Sequence, residues 1–487
     1  MKLIYDILKK LKKQELRQVR QQIERSVFEY EKVGKLFDLV TRYPEQEESF
    51  YSQKIYGKDP DNTFRVTKSR LKRMLENVLI QDKSLTGYAS SAINAKHQAR
   101  KKLLQGEILL GRGAYLASKN ILQQVISSAK KYDLHEELFE AELLLFRNKS
   151  TKSSVLEFER QAQSLLALNE KSAMVNEALI LHYAISNLIF NRTLKQDELE
   201  DVRKRIDRML SIAEQTQHPR AENAYYLSEV YYYQIQGDLN LALHFCKKYR
   251  DLIEKTPSQY TKARLGGAYL QLAQVALQVG KLEEADDYSE QVLTIFSKEE
   301  MNYLLAMELS FRIAFYRKNP KRAFQVIDDA FNHPEFETSR MLAARWHYFR
   351  ACQLFQAGAF REAYLELNDT TPLLGDKYGM NLHIRLLEIM IMHEMEKLDL
   401  METKILNMRQ FIKRTQRNSA MKRPVALVKI LMNWYKNHYD FTSTVEQVVP
   451  QLQKLDAIEA DQPLRNTDFE LIRFERWIQE KGKKSRK

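Results

Sequence analysis

Residues 268–293 read AYLQLAQVALQVGKLEEADDYSEQVL, and this stretch decides the fold. Apolar residues recur at helical spacing on both sides of Gly280, and Ala285 follows the glycine five positions later. Glycine ends a helix readily because it adopts positive φ without steric cost. Alanine one turn into the next helix allows two helix backbones to approach closely. The stretch therefore predicts a pair of helices packed as a hairpin.

The spacing of glycine and alanine recurs along the chain. The copies are Gly237 with Ala242, Gly280 with Ala285, a degenerate Lys318 with Ala323, and Gly358 with Ala363. Successive copies begin 43, 38 and 40 residues apart. Because one hairpin cannot bury its apolar face alone, the repeat predicts hairpins stacked on their neighbours. Residues 382–414 continue the phase with Lys397 in place of the glycine, and residues 136–215 predict four further helices.

These residues resemble the tetratricopeptide repeat family, most closely over residues 220–375. Leu272-Ala273 stands at the Leu-Gly position of the family, and Gly280 and Ala285 stand at its loop and second-helix positions. The repeat here is nearer 40 residues than the usual length of about 34. The resemblance implies an all-α, right-handed α-solenoid of helical hairpins that binds a protein or peptide partner through its concave face.

The composition indicates a helical protein, and its cysteines indicate a reducing compartment. Glycine and proline number only 14 and 10 of 487 residues, too few for the many turns of a sheet protein. Cys246 and Cys352 lie far apart, so we expect no disulfide framework. Asp6 interrupts the first apolar run, and no apolar stretch approaches the length of a membrane span. We therefore expect a cytoplasmic protein, with membrane attachment disfavoured by Asp6 and Glu15.

The net charge of +13 is concentrated at the two ends of the chain. Residues 1–105 hold 23 Lys and Arg against 13 Asp and Glu, and the last seven residues add five positive charges. This asymmetry favours a polyanionic partner. The pattern predicts a basic helical N-terminal module (1–105), a solenoid (106–445), C-terminal capping helices (446–480) and a disordered basic tail (481–487).

A predicted helix over residues 63–79 carries the basic residues of this module. Its candidate phosphate contacts are Arg65, Lys68, Lys72 and Arg73. If the partner is a nucleic acid, its affinity should fall steeply with salt concentration. The alternatives are an acidic protein surface as the partner, or basic side chains that are only solvated. The helix order resembles the helical part of the winged-helix domain of response-regulator and antibiotic-regulator activators. No β-hairpin wing is predicted after Gln81, where that resemblance ends.

The hairpin register also predicts which side chains face the concave groove. They are Tyr231, Gln234, Gln274, Gln278, Arg312, Tyr316, Arg345, Tyr348 and Gln356. Tyrosine and arginine anchor contacts well in protein recognition. The alternative is that these side chains only pack within a scaffold whose groove is empty or filled by the chain's own termini.

No catalytic or metal-binding motif is complete in the sequence. His135-Glu136 and His393-Glu394 begin like the zinc motif H-E-x-x-H, but Phe139 and Lys397 replace the second histidine. Gly111-Arg112-Gly113 begins like a dinucleotide loop but lacks the third glycine and a preceding strand. We therefore expect a non-catalytic adaptor or scaffold without a cofactor. The second hypothesis is a nucleic-acid-associated regulator that contacts phosphates through its N-terminal module, and the sequence leaves the oligomeric state open.

Overall fold

The fold of the chain is described by a computed structural model. It describes residues 1–25, 31–81, 85, 90–149, 154–191, 196–298, 300–334, 336, 339–375, 380–415, 422–461 and 470–485. Every regular element within these ranges is helical, as the sequence predicts. The chain divides into two compact units, Met1–Ala173 and Met174–Lys487. Among the described helices, none combines the length and the apolar character needed to cross a membrane.

The first unit begins with five helices around one apolar core. They are α1 (Lys2–Leu8), α2 (Lys13–Arg25), α3 (Glu31–Arg42), α4 (Glu48–Tyr56) and α5 (Asn62–Leu79). The predicted basic helix is α5, which packs against α1, α2 and α3. Phe64, Leu71 and Leu75 lie at helical spacing on α5 and are fully buried. This helix is therefore the central element of the N-terminal bundle.

Longer helices follow in the first unit. They are α6 (Ser91–Gly111), α7 (Tyr115–Lys131), α8 (His135–Lys149) and α9 (Val155–Asn191), of which α9 continues into the second unit. Each of α6, α7 and α8 packs against the other two. Between residues 136 and 215 the structure describes three helices rather than the predicted four. Residues 155–191 contain no glycine or proline, so one helix runs through the whole stretch.

The second unit is a succession of helices that pack in chain order. They are α10 (Gln196–Thr216), α11 (Pro219–Gln236), α12 (Leu239–Lys255), α13 (Lys262–Val279), α14 (Leu282–Ile295), α15 (Met301–Tyr316), α16 (Pro320–Phe331), α17 (Arg340–Gln356), α18 (Phe360–Glu366), a 3₁₀ turn (Leu367–Gly375), α19 (Met380–Glu394), α20 (Leu398–Thr415), α21 (Lys422–Lys436), α22 (Phe441–Gln447), α23 (Val449–Asp461) and α24 (Phe474–Ser485). From α10 to α17 each helix contacts the next, and α13 also contacts α15.

The predicted corners between paired helices are confirmed. Gly237, Gly280 and Gly358 have φ of 79°, 84° and 79°, in the left-handed region that glycine adopts freely. Lys318 takes the same conformation with φ of 55°. In the next helical pair the left-handed residue is Glu396, with φ of 59°, one residue before the predicted Lys397. These helical pairs therefore need a residue with left-handed backbone conformation at the corner, and glycine adopts it at the lowest steric cost.

The alanines predicted at the close crossings are buried. Each of the four corners at residues 237, 280, 318 and 358 is followed by an alanine with no exposed surface. These residues are Ala242, Ala285, Ala323 and Ala363. A larger side chain at such a position would hold the two helices of the pair apart.

The C-terminal helix α24 packs against earlier helices of the second unit. It packs against α19, α21 and α22. Arg423 on α21 places its guanidinium 2.7 Å from the carboxylates of both Glu470 and Glu475, and all three side chains are buried. Residues 481–485 of the predicted tail belong to this helix, whereas Arg486 and Lys487 lie outside the described residues.

Two adjacent glycines in α13 test the packing between α13 and the end of α14. A methyl group added to the buried Gly266 would overlap the ring of Phe296, whereas one added to the exposed Gly267 would meet nothing within 4 Å. We expect Gly266→Ala to lower the free energy of unfolding by about 1–3 kcal/mol because of overpacking. We expect Gly267→Ala to raise it by about 0.5–1 kcal/mol, since alanine favours a helix. Urea unfolding of both variants checks this, and equal effects would contradict the described contact.

Candidate functional site

The first helices of successive pairs carry polar side chains that meet across helix boundaries. Gln271 Nε2 on α13 donates to Gln234 Oε1 on α11 at 2.9 Å. Arg345 on α17 donates from its guanidinium to the carboxylate of Glu308 on α15. Both contacts join a helix to the next but one, so side chains link α11 to α13 and α15 to α17. We call the polar row the set Gln234, Gln271, Gln274, Glu308, Arg312 and Arg345.

A cavity of about 210 Å³ opens along this row. It is lined by Leu270, Gln271, Gln274, Leu305, Glu308, Leu309, Arg312 and Arg345. The structure thus brings three predicted groove residues to one place, Gln274, Arg312 and Arg345. Their neighbours combine hydrogen-bonding groups with leucine side chains, a lining suited to anchoring part of a polypeptide.

Several side chains of the polar row are buried, although apolar side chains would pack there at lower cost. Gln234, Glu308 and Arg312 are only 8%, 9% and 6% exposed. Removing such groups from water is costly, and a buried ion pair is often no more stabilising than apolar side chains of the same volume. Two guanidinium groups and one carboxylate leave the row with a formal charge of +1. This combination favours a ligand that supplies acceptors, including carboxylates.

Two members of the polar row are absent from the sequence-based set, Gln271 and Glu308. Each lies 37 positions from its hydrogen-bond partner, Gln271 from Gln234 and Glu308 from Arg345. That separation is close to the repeat length. A search for polar residues recurring at the repeat period on the first helices would have found both.

Three other predicted groove residues lie apart from this cavity. Tyr231 is half-buried, with its ring centroid 6.1 Å from that of His182, and burial raises its pKa to about 12. The amide atoms of Gln278 are buried without a hydrogen-bond partner in the described part of the chain. Tyr348 is only 1% exposed within the apolar core around Phe349, and burial raises its pKa well above the ordinary value. Tyr348 is therefore out of reach of a partner in this conformation.

The remaining two predicted groove residues, Tyr316 and Gln356, line a second and larger cavity beside α24. It has a volume of about 720 Å³. One end of the predicted groove is therefore adjacent to the chain's own C-terminal helix. Sequence reasoning raised that arrangement only as an alternative, because nothing in the repeat pattern places residues 470–485.

The predicted phosphate contacts on α5 are divided between paired and exposed side chains. Lys68 Nζ lies 2.8 Å from the carboxylate of Glu48. The hydrogen bonds from Lys68 and from the N-terminal amine lower the pKa of Glu48. Lys72 Nζ lies 3.3 Å from Glu76 on the same helix. Arg65 and Arg73 are exposed. The ion pairs reduce the charge that this helix presents to a polyanion.

Known proteins and the chemistry of the described side chains add no further assignment. No protein-family model matches the chain, and no curated protein matches its sequence. In the ranges that the structure covers, no group of three or more His, Cys, Asp and Glu side chains is placed to hold a metal ion.

A double-mutant cycle tests how the ion pair of the polar row contributes to stability. Arg345→Met alone leaves the mostly buried Glu308 carboxylate poorly compensated, so we expect a loss of about 1–3 kcal/mol in the free energy of unfolding. Combining it with Glu308→Leu should recover much of that loss, since the charge is then removed rather than stranded. Urea unfolding of the two single variants and the double variant gives the coupling.

The exposed pair Arg322–Glu290, 2.7 Å apart on α16 and α14, is the matched control. Arg322→Met should cost less than about 1 kcal/mol because solvent screens this pair. Additive effects of Glu308→Leu and Arg345→Met would show that the two groups do not interact as described.

Proposed function

We propose that the chain is a non-catalytic adaptor or scaffold that binds a protein or peptide segment through the face carrying the polar row. The proposal includes a right-handed solenoid of the tetratricopeptide type, with this row on its concave side. Its main support is a pair of links between alternate helices, α11 to α13 through Gln234 and Gln271 and α15 to α17 through Glu308 and Arg345. The proposal assigns these buried polar groups to recognition, since a buried ion pair adds little stability over apolar side chains of the same volume.

The chemistry of the polar row matches a polypeptide. Glutamine amides donate and accept hydrogen bonds, as peptide groups do. Arg312 and Arg345 add charged donors, which bind carboxylates more strongly than neutral donors. A cavity of about 210 Å³ is smaller than the roughly 300–1,000 Å³ typical of small-molecule sites. It therefore suits a side chain of a longer segment better than a whole cofactor.

The proposed location is the cytoplasm. Cys246 and Cys352 are both buried free thiols. Such thiols are compatible with a compartment in which disulfides do not form.

The second candidate is a regulator that contacts nucleic acid through residues 1–105. Its support is the charge surplus of that segment and the exposure of Arg65 and Arg73. The ion pairs of Lys68 and Lys72 weaken it, because paired lysines release fewer counterions on binding phosphates.

Site-specific crosslinking in cells tests the first candidate. A photoreactive amino acid at Gln274, on the cavity wall, should capture a protein partner, because a segment bound in the cavity lies close enough to this group to form a covalent crosslink. The same group at the exposed Asp287 of α14, outside the cavity lining, is the matched control. Glu308→Leu with Arg345→Met should reduce capture at Gln274 while the circular dichroism spectrum stays helical.

The partner class follows from nuclease treatment before capture. Capture that survives nuclease supports a protein partner, and capture lost with nuclease supports the nucleic-acid candidate. Equal capture from positions 274 and 287, or capture unaffected by the double substitution, would contradict binding at the polar row.

A further inference from the structure

The larger cavity beside α24 differs from the polar row in size and in the elements that build it. Its volume of about 720 Å³ lies within the roughly 300–1,000 Å³ range of small-molecule sites. One wall is formed by the last residues of α15 and α17, among them Tyr316 and Gln356. The facing wall is the C-terminal segment, from Leu471 to Lys484.

The C-terminal wall is held in place by buried contacts. Arg423 bridges Glu470 and Glu475 at the start of the segment. Leu471 belongs to the apolar cluster of α15 and α17. Farther along, Trp477 Nε1 donates to Glu394 at 3.0 Å, and its ring meets Trp434 edge-on with centroids 5.5 Å apart. The cavity is therefore a built feature of the second unit rather than a gap beside a loose end.

The charge of the lining favours an anion. The cationic lining residues are Arg473, Arg476, Lys481 and Lys484, and the acidic ones are Glu394 and Glu480. Lys481 Nζ lies 2.7 Å from the carboxylate of Glu394, so each largely neutralises the other. Arg476 has a side chain that is 56% exposed and lies 3.9 Å from the carboxylate of Asp456, an exposed pair that solvent screens, and Lys484 is also exposed. These two cations are accessible to a ligand that enters from solvent.

The same cavity offers aromatic surface. Tyr316, Phe355 and Phe360 are at least partly exposed, whereas the lining residues Phe315 and Trp477 are only 3% and 7% exposed. Tyr316 is 39% exposed and is braced edge-on by Phe315, with ring centroids 5.7 Å apart. Phe355 and Phe360 form a similar pair at 5.5 Å. Planar ligands stack on rings that are fixed in this way.

We propose that this cavity binds a nucleoside phosphate, with the base against the aromatic side and the phosphate near Arg476 and Lys484. A nucleoside phosphate would contact both the aromatic and the cationic residues of the lining. A free phosphate would leave the rings without a contact, and a neutral aromatic molecule would leave the cations without one. The site is independent of the polar row, because it uses the ends of α15 and α17 together with α24.

Isothermal titration of the full chain with AMP, adenosine and inorganic phosphate tests the proposal. AMP should bind more tightly than either adenosine or phosphate, since only AMP uses both halves of the lining. Two neighbouring lysines in the last turn of α24 provide a matched pair. Lys484 lines the cavity and Lys483 does not, and both are exposed, so neither substitution removes a buried side chain.

We expect Lys484→Glu to weaken AMP binding by about tenfold or more, and Lys483→Glu to change it by much less. Tyr316→Ala should weaken AMP and adenosine while leaving phosphate unchanged. Failure of AMP to bind at millimolar concentration would overturn the proposal. So would equal effects of the two lysine variants, or phosphate binding as tightly as AMP.

Discussion

The packing of each helical pair against the next is the interaction on which the second unit depends. A hairpin of two short helices has more apolar surface than its own interface can bury. One apolar cluster therefore runs from Leu243 and Cys246 of α12 through Leu272 of α13 to Ile313 of α15. Each fully buried aliphatic side chain of this kind contributes about 1.5–3 kcal/mol. Stacking also fixes which face of each first helix is left for polar residues, and so determines where a site can form.

Stacking of this kind explains why the polar row and the cavity beside α24 lie where they do. Contacts at the small residues Ala242 and Ala285 bring paired helices together, and alternate helices then come within side-chain reach. At that distance a glutamine or arginine of one helix meets its counterpart on the next but one. The ends of α15 and α17 are left uncovered by that arrangement, and the docked C-terminal helix completes a cavity there. Both candidate sites are thus products of the same packing.

The sequence predicts the features that repeat and misses those that depend on distant contacts. Gly280 and Ala285 are predictable because backbone conformation and close approach restrict the residue type locally. Glu308 is not predicted, since a buried carboxylate is recognisable only beside Arg345. Tyr348 looks like a groove residue by its register, yet it is buried in the core because tyrosine serves either role. The docking of α24 depends on Arg423 meeting Glu470 and Glu475, residues 47 and 52 positions away.

The central claim is that alternate first helices lie side by side, and crosslinking within one molecule tests it most directly. Gln234→Cys and Gln271→Cys place thiols on α11 and α13, where the native side chains are hydrogen-bonded. Cys246 and Cys352 are buried, and burial raises the pKa of Cys352 to about 12, so the native thiols should react slowly. A short bismaleimide should link positions 234 and 271 within the monomer under native conditions and fail to do so in denaturant. No intramolecular link in the native protein would contradict the account.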